Sequence, residues 1–213
     1  MKFDELLAQQ ISMRTNYARR RRRGAPHLPA RGLLTRRLLE ALPFSLTRAQ
    51  HRALAEIRDD LARPHPMQRL LQGDVGSGKT LVAAEAAIIA IENGYQAAML
   101  APTEILATQH YFSLKRLFQR IGYEVALLVG SQTAKEKQGI KKVIAAGLVP
   151  MAVGTHALLE EDVDFHKLGL AVIDEQHRFG VMQRLRLQKK WVTPDVLVMT
   201  ATPIPRTLAL TIY

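Results

Sequence analysis

One eight-residue segment, residues 73–80, carries the most specific chemistry in this sequence. It fits the pattern G-x-x-x-x-G-K-[ST], in which glycines let backbone N–H groups turn toward phosphate oxygens. Residues 67–72 predict a strand before it, and residues 81–91 predict a helix whose N-terminus adds partial positive charge. The segment therefore predicts a nucleotide-phosphate site made by Gly73, Asp74, Val75, Gly76, Ser77, Gly78, Lys79 and Thr80.

Two further groups complete the chemistry of such a site. The Lys79 ammonium would reach the β- and γ-phosphates, and the Thr80 hydroxyl would ligate Mg²⁺. The apolar residues 170–173 precede two acids: Asp174 would hold Mg²⁺, directly or through water, and Glu175 would orient and deprotonate the attacking water. The alternative is a strand that ends in ordinary solvated acids. ATP and Mg²⁺ are the expected cofactors, and ATP hydrolysis is the expected reaction.

The order of the predicted elements indicates how these groups are positioned. Apolar runs and helical periodicity alternate along the chain, which predicts an α/β fold with a parallel sheet covered by helices on both faces. Ligands in such folds bind at the carboxyl ends of the strands. The strands are predicted at residues 67–72, 96–101, 124–129, 149–153, 168–173 and 195–200, and the helices at 3–23, 33–42, 47–61, 81–91, 104–121 and 133–146, with Thr47 as an N-cap.

Composition narrows the class of protein. The 213 residues include no cysteine, which excludes disulfides and thiolate metal sites and leads us to expect a cytoplasmic location. No apolar run approaches the length of a membrane span. The formal net charge is +11, and residues 1–66 contribute +8 of it, with 14 Lys/Arg against 6 Asp/Glu. This basic third predicts a polyanionic partner, with nucleic acid first.

Several segments resemble the motifs of the RecG branch of superfamily 2 helicases. Residues 174–181, Asp-Glu-Gln-His-Arg-Phe-Gly-Val, resemble its extended motif II, and residues 200–208, Thr-Ala-Thr-Pro-Ile-Pro-Arg-Thr-Leu, resemble motif III. Residues 101–104 are similar to motif Ia and residues 154–157 to motif Ib. Residues 43–50 resemble the segment upstream of motif I that contacts adenine. The Gln-His that follows the acidic pair favours RecG over the transcription-repair coupling translocase, which shares the motif III extension.

The resemblance implies a domain organisation. Residues 43–213 would form the first of two RecA-like P-loop domains of an ATP-dependent DNA helicase or translocase that acts on branched DNA, and residues 1–42 a basic helical connector. The partners would be forked or branched DNA, a second RecA-like domain that supplies an arginine finger, and an N-terminal wedge domain. The chain would be a fragment of a larger, monomeric protein that is not bound to a membrane.

The resemblance also implies roles for individual residues. Gln50 would read the adenine edge, with Phe44 packing nearby. Gln176 and His177 would link the γ-phosphate to motif III, which places His177 among the catalytic groups. Thr200 and Thr202 would couple the nucleotide state to DNA contact. Five residues would lie along the DNA backbone: Pro102, Thr103, Gly154, Thr155 and His156.

Two other functions stay open from the sequence. One is the equivalent domain of the transcription-repair coupling translocase. The other is a nucleic-acid-binding module with a vestigial nucleotide site, although Lys79, Thr80, Asp174 and Glu175 are all intact. Three roles stay open for the run of five arginines at Arg19–Arg23: contact with DNA, docking of another domain, or a solvated helix end. Isolated histidines are interpreted as surface or packing groups: His51, His65, His110 and His166. Trp191 is interpreted as a core or rim packing residue, with base stacking as the alternative.

Overall fold

A computed structural model describes residues 24–40, 42–175 and 194–201 of this chain. Its centre is a six-stranded sheet in the order β1-β6-β5-β2-β4-β3, and every neighbouring pair is parallel. The predicted parallel sheet is therefore confirmed. The strands are β1 (Gln68–Gln72), β2 (Gln96–Leu100), β3 (Val125–Leu128), β4 (Met151–Gly154), β5 (Leu168–Asp174) and β6 (Asp195–Thr200).

The helices follow the predicted alternation. Within the described residues, the predicted bounds of helices and strands agree with the observed ones to within two residues, and Thr47 is the N-cap of α2 as expected. The short 3₁₀-helix after β4 was not predicted, and the helix predicted at residues 3–23 lies outside the described residues. The helices are α1 (Leu33–Glu40), α2 (Arg48–Leu61), α3 (Lys79–Glu92), α4 (Glu104–Gln119), α5 (Ala134–Ala145) and the 3₁₀-helix His156–Leu159.

The sheet has an apolar core on each face, because side chains of a strand point alternately to its two sides. On β2, Met99 belongs to the core beneath α3 and α4, whereas Ala98 belongs to the opposite core. That opposite core is closed by Ile144 of α5 and by the 3₁₀-helix. The strands β2, β4 and β5 are buried throughout. Because every neighbouring pair is parallel, the carboxyl ends of all six strands lie at one edge of the sheet.

Helix α3 lies between the sheet and an outer layer of helices. All of its residues from Leu81 to Ile91 are buried, which suits a sequence made of alanine and branched aliphatic residues. One of them, Glu85, is fully buried and is paired with Arg58 of α2. Burial raises the pKa of the Glu85 carboxyl, and the Arg58 charge opposes that shift.

The described part of the predicted connector packs directly on α3. Leu28, Leu34 and Leu38 are buried in the same core as α3. The carboxylate of Glu92, at the end of α3, accepts hydrogen bonds from the backbone N–H groups of Gly32, Leu34 and Thr35, and so it caps α1. This segment is thus held to α3 by both apolar and polar contacts. No helix in the described parts of the chain is long and apolar enough to cross a membrane.

Candidate nucleotide-binding site

The candidate site lies where β1, β6 and β5 end side by side. The backbone N–H of Gly73, which follows β1, donates to the carbonyl oxygen of Thr200 at the end of β6, with an N···O distance of 3.2 Å. The N–H of Glu175, which follows β5, donates to the carbonyl of Met199 at 2.9 Å. The sheet order therefore brings the phosphate-type loop, the acidic pair and the start of the Thr-Ala-Thr segment to one edge.

The loop between β1 and α3 has the backbone geometry of an anion cradle. Gly76 and Gly78 have φ values of 81° and 82°, which side-chain-bearing residues rarely adopt. A turn closed by Ser77 N–H and the Asp74 carbonyl, at 3.1 Å, leaves Val75 91% exposed at its tip. Gly78 caps α3 without a side-chain hydrogen bond, so this helix end offers its first-turn N–H groups to an anion.

The Lys79 side chain is hydrogen-bonded to the loop between β1 and α3. Its Nζ donates to the backbone carbonyl of Gly73 and to that of Asp74, the latter at 2.8 Å. Gly73 is closely approached as well, since a Cβ there would lie 2.7 Å from Oγ of Ser77. The loop thus wraps around the ammonium group, and Thr80, half-buried, follows in the first turn of α3.

Gln50 of α2 contacts the loop from outside. Its Oε1 accepts from the N–H of Thr47 at 2.8 Å, which forms one half of a capping box, and its Nε2 donates to the carbonyl of Ser77 at 2.9 Å. Nε2 also occupies the space where a Cβ on Gly78 would lie, 2.3 Å away. Both ends of this amide are engaged within the protein, while Phe44 is 56% exposed on the segment before α2.

Asp174 has a partner that the sequence did not indicate. Nε2 of His110, on α4, lies 2.6 Å from Oδ2 of Asp174, and both side chains are largely buried. The interpretation of His110 as an isolated surface or packing residue is therefore wrong. A carboxylate oxygen can only accept a hydrogen bond, so Nε2 is the donor in this contact.

The oxygen ligands present fit a magnesium ion. Thr80 and Asp174 provide a hydroxyl and a carboxylate, which are the hard donors that Mg²⁺ prefers. Within the described residues, the hydrogen bond from His110 involves only one of the two carboxylate oxygens of Asp174, and no cluster of three or more acidic, His or Cys side chains forms a complete cage. Sites that bind Mg²⁺ together with phosphates commonly use one or two carboxylates in this way.

Glu175 has an unusual backbone. Its φ is 51°, the one positive value among non-glycine residues in the described ranges. Such a conformation costs ~1–2 kcal/mol for a residue with a Cβ, and it turns the side chain toward the end of β6. There Oε1 accepts from the N–H of Ala201 at 3.1 Å. The strained position is thus combined with a carboxylate fixed against the Thr-Ala-Thr segment, a pattern found at functional sites.

The five residues expected along DNA separate into two groups. Pro102 and Thr103 follow β2, where Thr103 caps α4 and is exposed, and His156 is exposed at the start of the 3₁₀-helix. Thr155 is only 2% exposed, and a Cβ on Gly154 would lie 2.2 Å from the carbonyl oxygen of Leu128. The Thr155 side chain and the Gly154 Cα thus face the interior and pack against neighbouring elements, while contact of these two residues with DNA stays a prediction.

Some predicted residues fall outside the part of the chain that the structure describes. They are Gln176, His177, Thr202, Arg19–Arg23 and Trp191. Thr200 is described and is 1% exposed, so its carbonyl contact with Gly73 is made inside the protein.

Comparisons with known proteins identify the family of this chain. A family model described as DEAD/DEAH box helicase matches residues 47–211. The chain is 50% identical over 210 residues to the ATP-dependent DNA helicase RecG of Acidithiobacillus ferridurans, and 52% identical over 214 residues to that of Escherichia coli (strain K12). Each alignment covers 99% of this chain but 31% of the relative. The chain thus spans less than a third of the length of these relatives.

Solved structures show the same relationship. A structure of RecG bound to a three-way DNA junction superposes with a TM-score of 0.83 at 45% identity, over 99% of this chain and 28% of that one. The DEAD-box helicase Mss116 bound to ssRNA and UDP-BeF superposes with a TM-score of 0.64 at 19% identity, over 82% of this chain and 39% of that one. The second match shows a shared fold alone.

Proposed function

Because this chain belongs to the DEAD/DEAH box helicase family, we propose that it is the ATP-binding motor domain of an ATP-dependent DNA helicase or translocase acting on branched DNA. The similarity to RecG proteins, one of them solved on a three-way DNA junction, supports the DNA substrate. The working protein would be larger and cytoplasmic. A second RecA-like domain and a wedge domain would belong to it, and the basic connector would lie between wedge and motor.

The phosphate loop would bind the nucleotide. Backbone N–H groups of residues 76–80 would surround the phosphates, and Lys79 would exchange its contacts with loop carbonyls for the β- and γ-phosphates. Gln50 would hold the loop through Ser77. An amide nitrogen carries two hydrogens, so the second N–H of Gln50 would remain for the adenine edge. Phe44 is exposed and lies six residues before Gln50, and it would pack against the base.

Glu175 would activate the water that attacks the γ-phosphate. The bond from Ala201 N–H orients the Glu175 carboxylate, which would accept the proton of the water. Thr80 and Asp174 would hold Mg²⁺, which when bound supplies neutralisation of the phosphate charge. We place Gln176, His177 and Thr202 with Thr200 in the link between the nucleotide and DNA, on the basis of the motif resemblance alone.

The DNA backbone would run along the loops that follow β2 and β4. Thr103 and His156 are exposed there, and Pro102 is half-buried beside them. Their hydroxyl, ring and backbone groups would hold phosphates without reading bases, which suits a translocase. Gly154 and Thr155 would support this surface from below, through packing, and the buried Thr155 side chain would not contact DNA.

One observation carries the proposal: the Gly73–Thr200 and Glu175–Met199 hydrogen bonds join the phosphate loop and the acidic pair through the end of β6. The direct test is ATP hydrolysis. A second domain would supply a cation worth ~10³–10⁵ in rate, so the 213 residues alone should hydrolyse ATP slowly. A protein that also contains the second domain should hydrolyse it rapidly when forked DNA is added. Equal rates for the two proteins would contradict the proposal.

A further inference from the structure

We propose that His110 is a positioning residue for Asp174, and that it makes α4 part of the magnesium site. This inference rests on the proposed function, since it assigns Asp174 to Mg²⁺. The observation behind it is the Nε2···Oδ2 distance of 2.6 Å between side chains that belong to different elements, 64 residues apart in the sequence.

The contact is shielded from water. The side chains of His110 and Asp174 are 14% and 12% exposed, so water competes little for the hydrogen bond, and the bond fixes the rotation of the carboxylate. Oδ2 accepts from His110, and Oδ1 would be the oxygen that holds the cation. Carboxylates that bind metals are generally held by such a second hydrogen bond, and loss of the outer partner typically lowers metal affinity 10- to 100-fold.

The imidazole is carried by α4, a helix whose position is fixed by packing. This helix is anchored beneath the sheet by the buried side chains of Ala107, Leu114 and Phe118, and its N-terminus is capped by Thr103. It begins directly after β2, the strand that pairs with β5. His110 therefore reaches Asp174 from a rigid neighbouring element.

The same helix begins at the surface proposed for DNA. Thr103 and His110 are seven residues apart, which is ~10 Å along a helix. Because α4 is rigid over this length, a displacement of its first turn would also displace the imidazole that holds Asp174. One helix, α4, and one hydrogen bond, from His110 to Asp174, thus connect the proposed DNA surface to the proposed magnesium ligand.

The test uses the 213-residue chain and a fluorescent ATP analogue, with nucleotide affinity measured across a Mg²⁺ titration. His110→Ala removes the donor, whereas His110→Gln replaces Nε2 of the ring by an amide Nε2. Gln109→Ala is the matched control, because Gln109 is the exposed neighbour on the same helix. Affinity without Mg²⁺ and thermal unfolding are recorded for every variant.

We expect His110→Ala to raise the Mg²⁺ concentration at the midpoint at least about 10-fold, with unchanged Mg²⁺-free affinity. His110→Gln should recover most of the loss, and Gln109→Ala should match the wild type. An unchanged midpoint in His110→Ala would overturn the inference, as would an equal loss of affinity with and without Mg²⁺, which would indicate packing alone. If the wild type bound no nucleotide under either condition, the proposed function itself would fail, and the inference with it.

Discussion

The backbone N–H of Ala201 donates a hydrogen bond of 3.1 Å to Oε1 of Glu175. This bond joins the residue after β6 to the residue after β5, and it is made possible by the positive φ of Glu175. The group proposed to activate water is therefore fixed by the segment proposed to couple nucleotide and DNA. A shift at the end of β6 would move the carboxylate directly.

This geometry separates binding from chemistry. Glu175→Gln keeps an oxygen that accepts from Ala201 but loses the basic oxygen. In a protein with both motor domains, it should bind ATP as the wild type does and turn over ~10²-fold more slowly or worse. Glu175→Ala should in addition weaken the link to β6. Near-normal hydrolysis by Glu175→Gln would show that another group takes the proton.

A second prediction concerns Gln50, whose two contacts can be removed separately. Gln50→Glu keeps the acceptor for Thr47 N–H but loses the donor to Ser77, and Gln50→Ala loses both. Gln50→Ala should lower the free energy of unfolding by ~1 kcal/mol through the lost cap, and Gln50→Glu should lower it less.

Nucleotide binding by these variants separates two roles of Gln50. If Gln50 both holds the loop and contacts adenine, Gln50→Ala should weaken binding of GTP and weaken that of ATP further. Calorimetry measures the affinity of each variant for ATP and GTP. Equal losses of affinity for the two nucleotides would show that Gln50 does not contact adenine. No loss of affinity for either nucleotide would show that Gln50 has neither role.

Glycine packing at β4 provides a third prediction. An alanine at Gly154 would place its Cβ 2.2 Å from the Leu128 carbonyl and 2.9 Å from Cγ of Leu158. Gly154→Ala should therefore lower the free energy of unfolding by ~3 kcal/mol or more, measured in urea. The matched control is Gly139→Ala in α5, where the space is open and a helix gains up to ~1 kcal/mol from alanine. A stable Gly154→Ala variant with weakened DNA binding would instead place Gly154 at the DNA.

The sequence predicted the fold well because periodicity is local. The interiors of strands β5 and β6 are apolar and their ends are marked by polar residues, and the helices α2 and α5 begin at threonines that cap them. Their bounds could therefore be estimated from neighbouring residues. The docking of the connector could not be estimated. It depends on Glu92 capping α1 across 58 residues of sequence, and no local pattern encodes that pairing.

The site was predicted less completely, for a related reason. The loop and the acidic pair are contiguous motifs, whereas His110 reaches Asp174 only because β2 lies beside β5 in the sheet. Strand order would have been the needed signal. The burial of Gly154 and Thr155 was also missed, because a motif records which residues occur and not which way they face.

A fourth prediction concerns pH and Asp195. This residue is 1% exposed; its Oδ1 accepts from the N–H of Met67, and within the described residues its Oδ2 has no hydrogen-bond partner. Burial raises the pKa of Asp195 from 3.8 to about 7, the charge of Asp60 acts in the same direction, and the bond from Met67 opposes both. Between these two pH values, the folded protein holds a proton that the unfolded chain has lost. The group therefore makes the free energy of unfolding fall as pH rises through this range.

The variant Asp195→Asn should lack that dependence, because an amide does not titrate. Its free energy of unfolding, relative to wild type, should rise between pH 4 and pH 8 by up to ~4 kcal/mol, the equivalent of about three pKa units. Urea unfolding of both proteins at the two pH values measures this difference. A constant difference would mean that the pKa of Asp195 is the same in the folded and the unfolded protein.

The central claim is tested most directly by calorimetry of Mg²⁺–ATP binding to this chain and to Lys79→Ala. Lys135→Ala is the matched control, because it removes the same charge from the exposed surface of α5. The wild type and Lys135→Ala should bind with equal affinity. Lys79→Ala should bind at least about 10-fold more weakly, since the phosphates lose a charged hydrogen-bond donor. Equal affinity for the wild type and Lys79→Ala would contradict the account of a phosphate site at the end of β1.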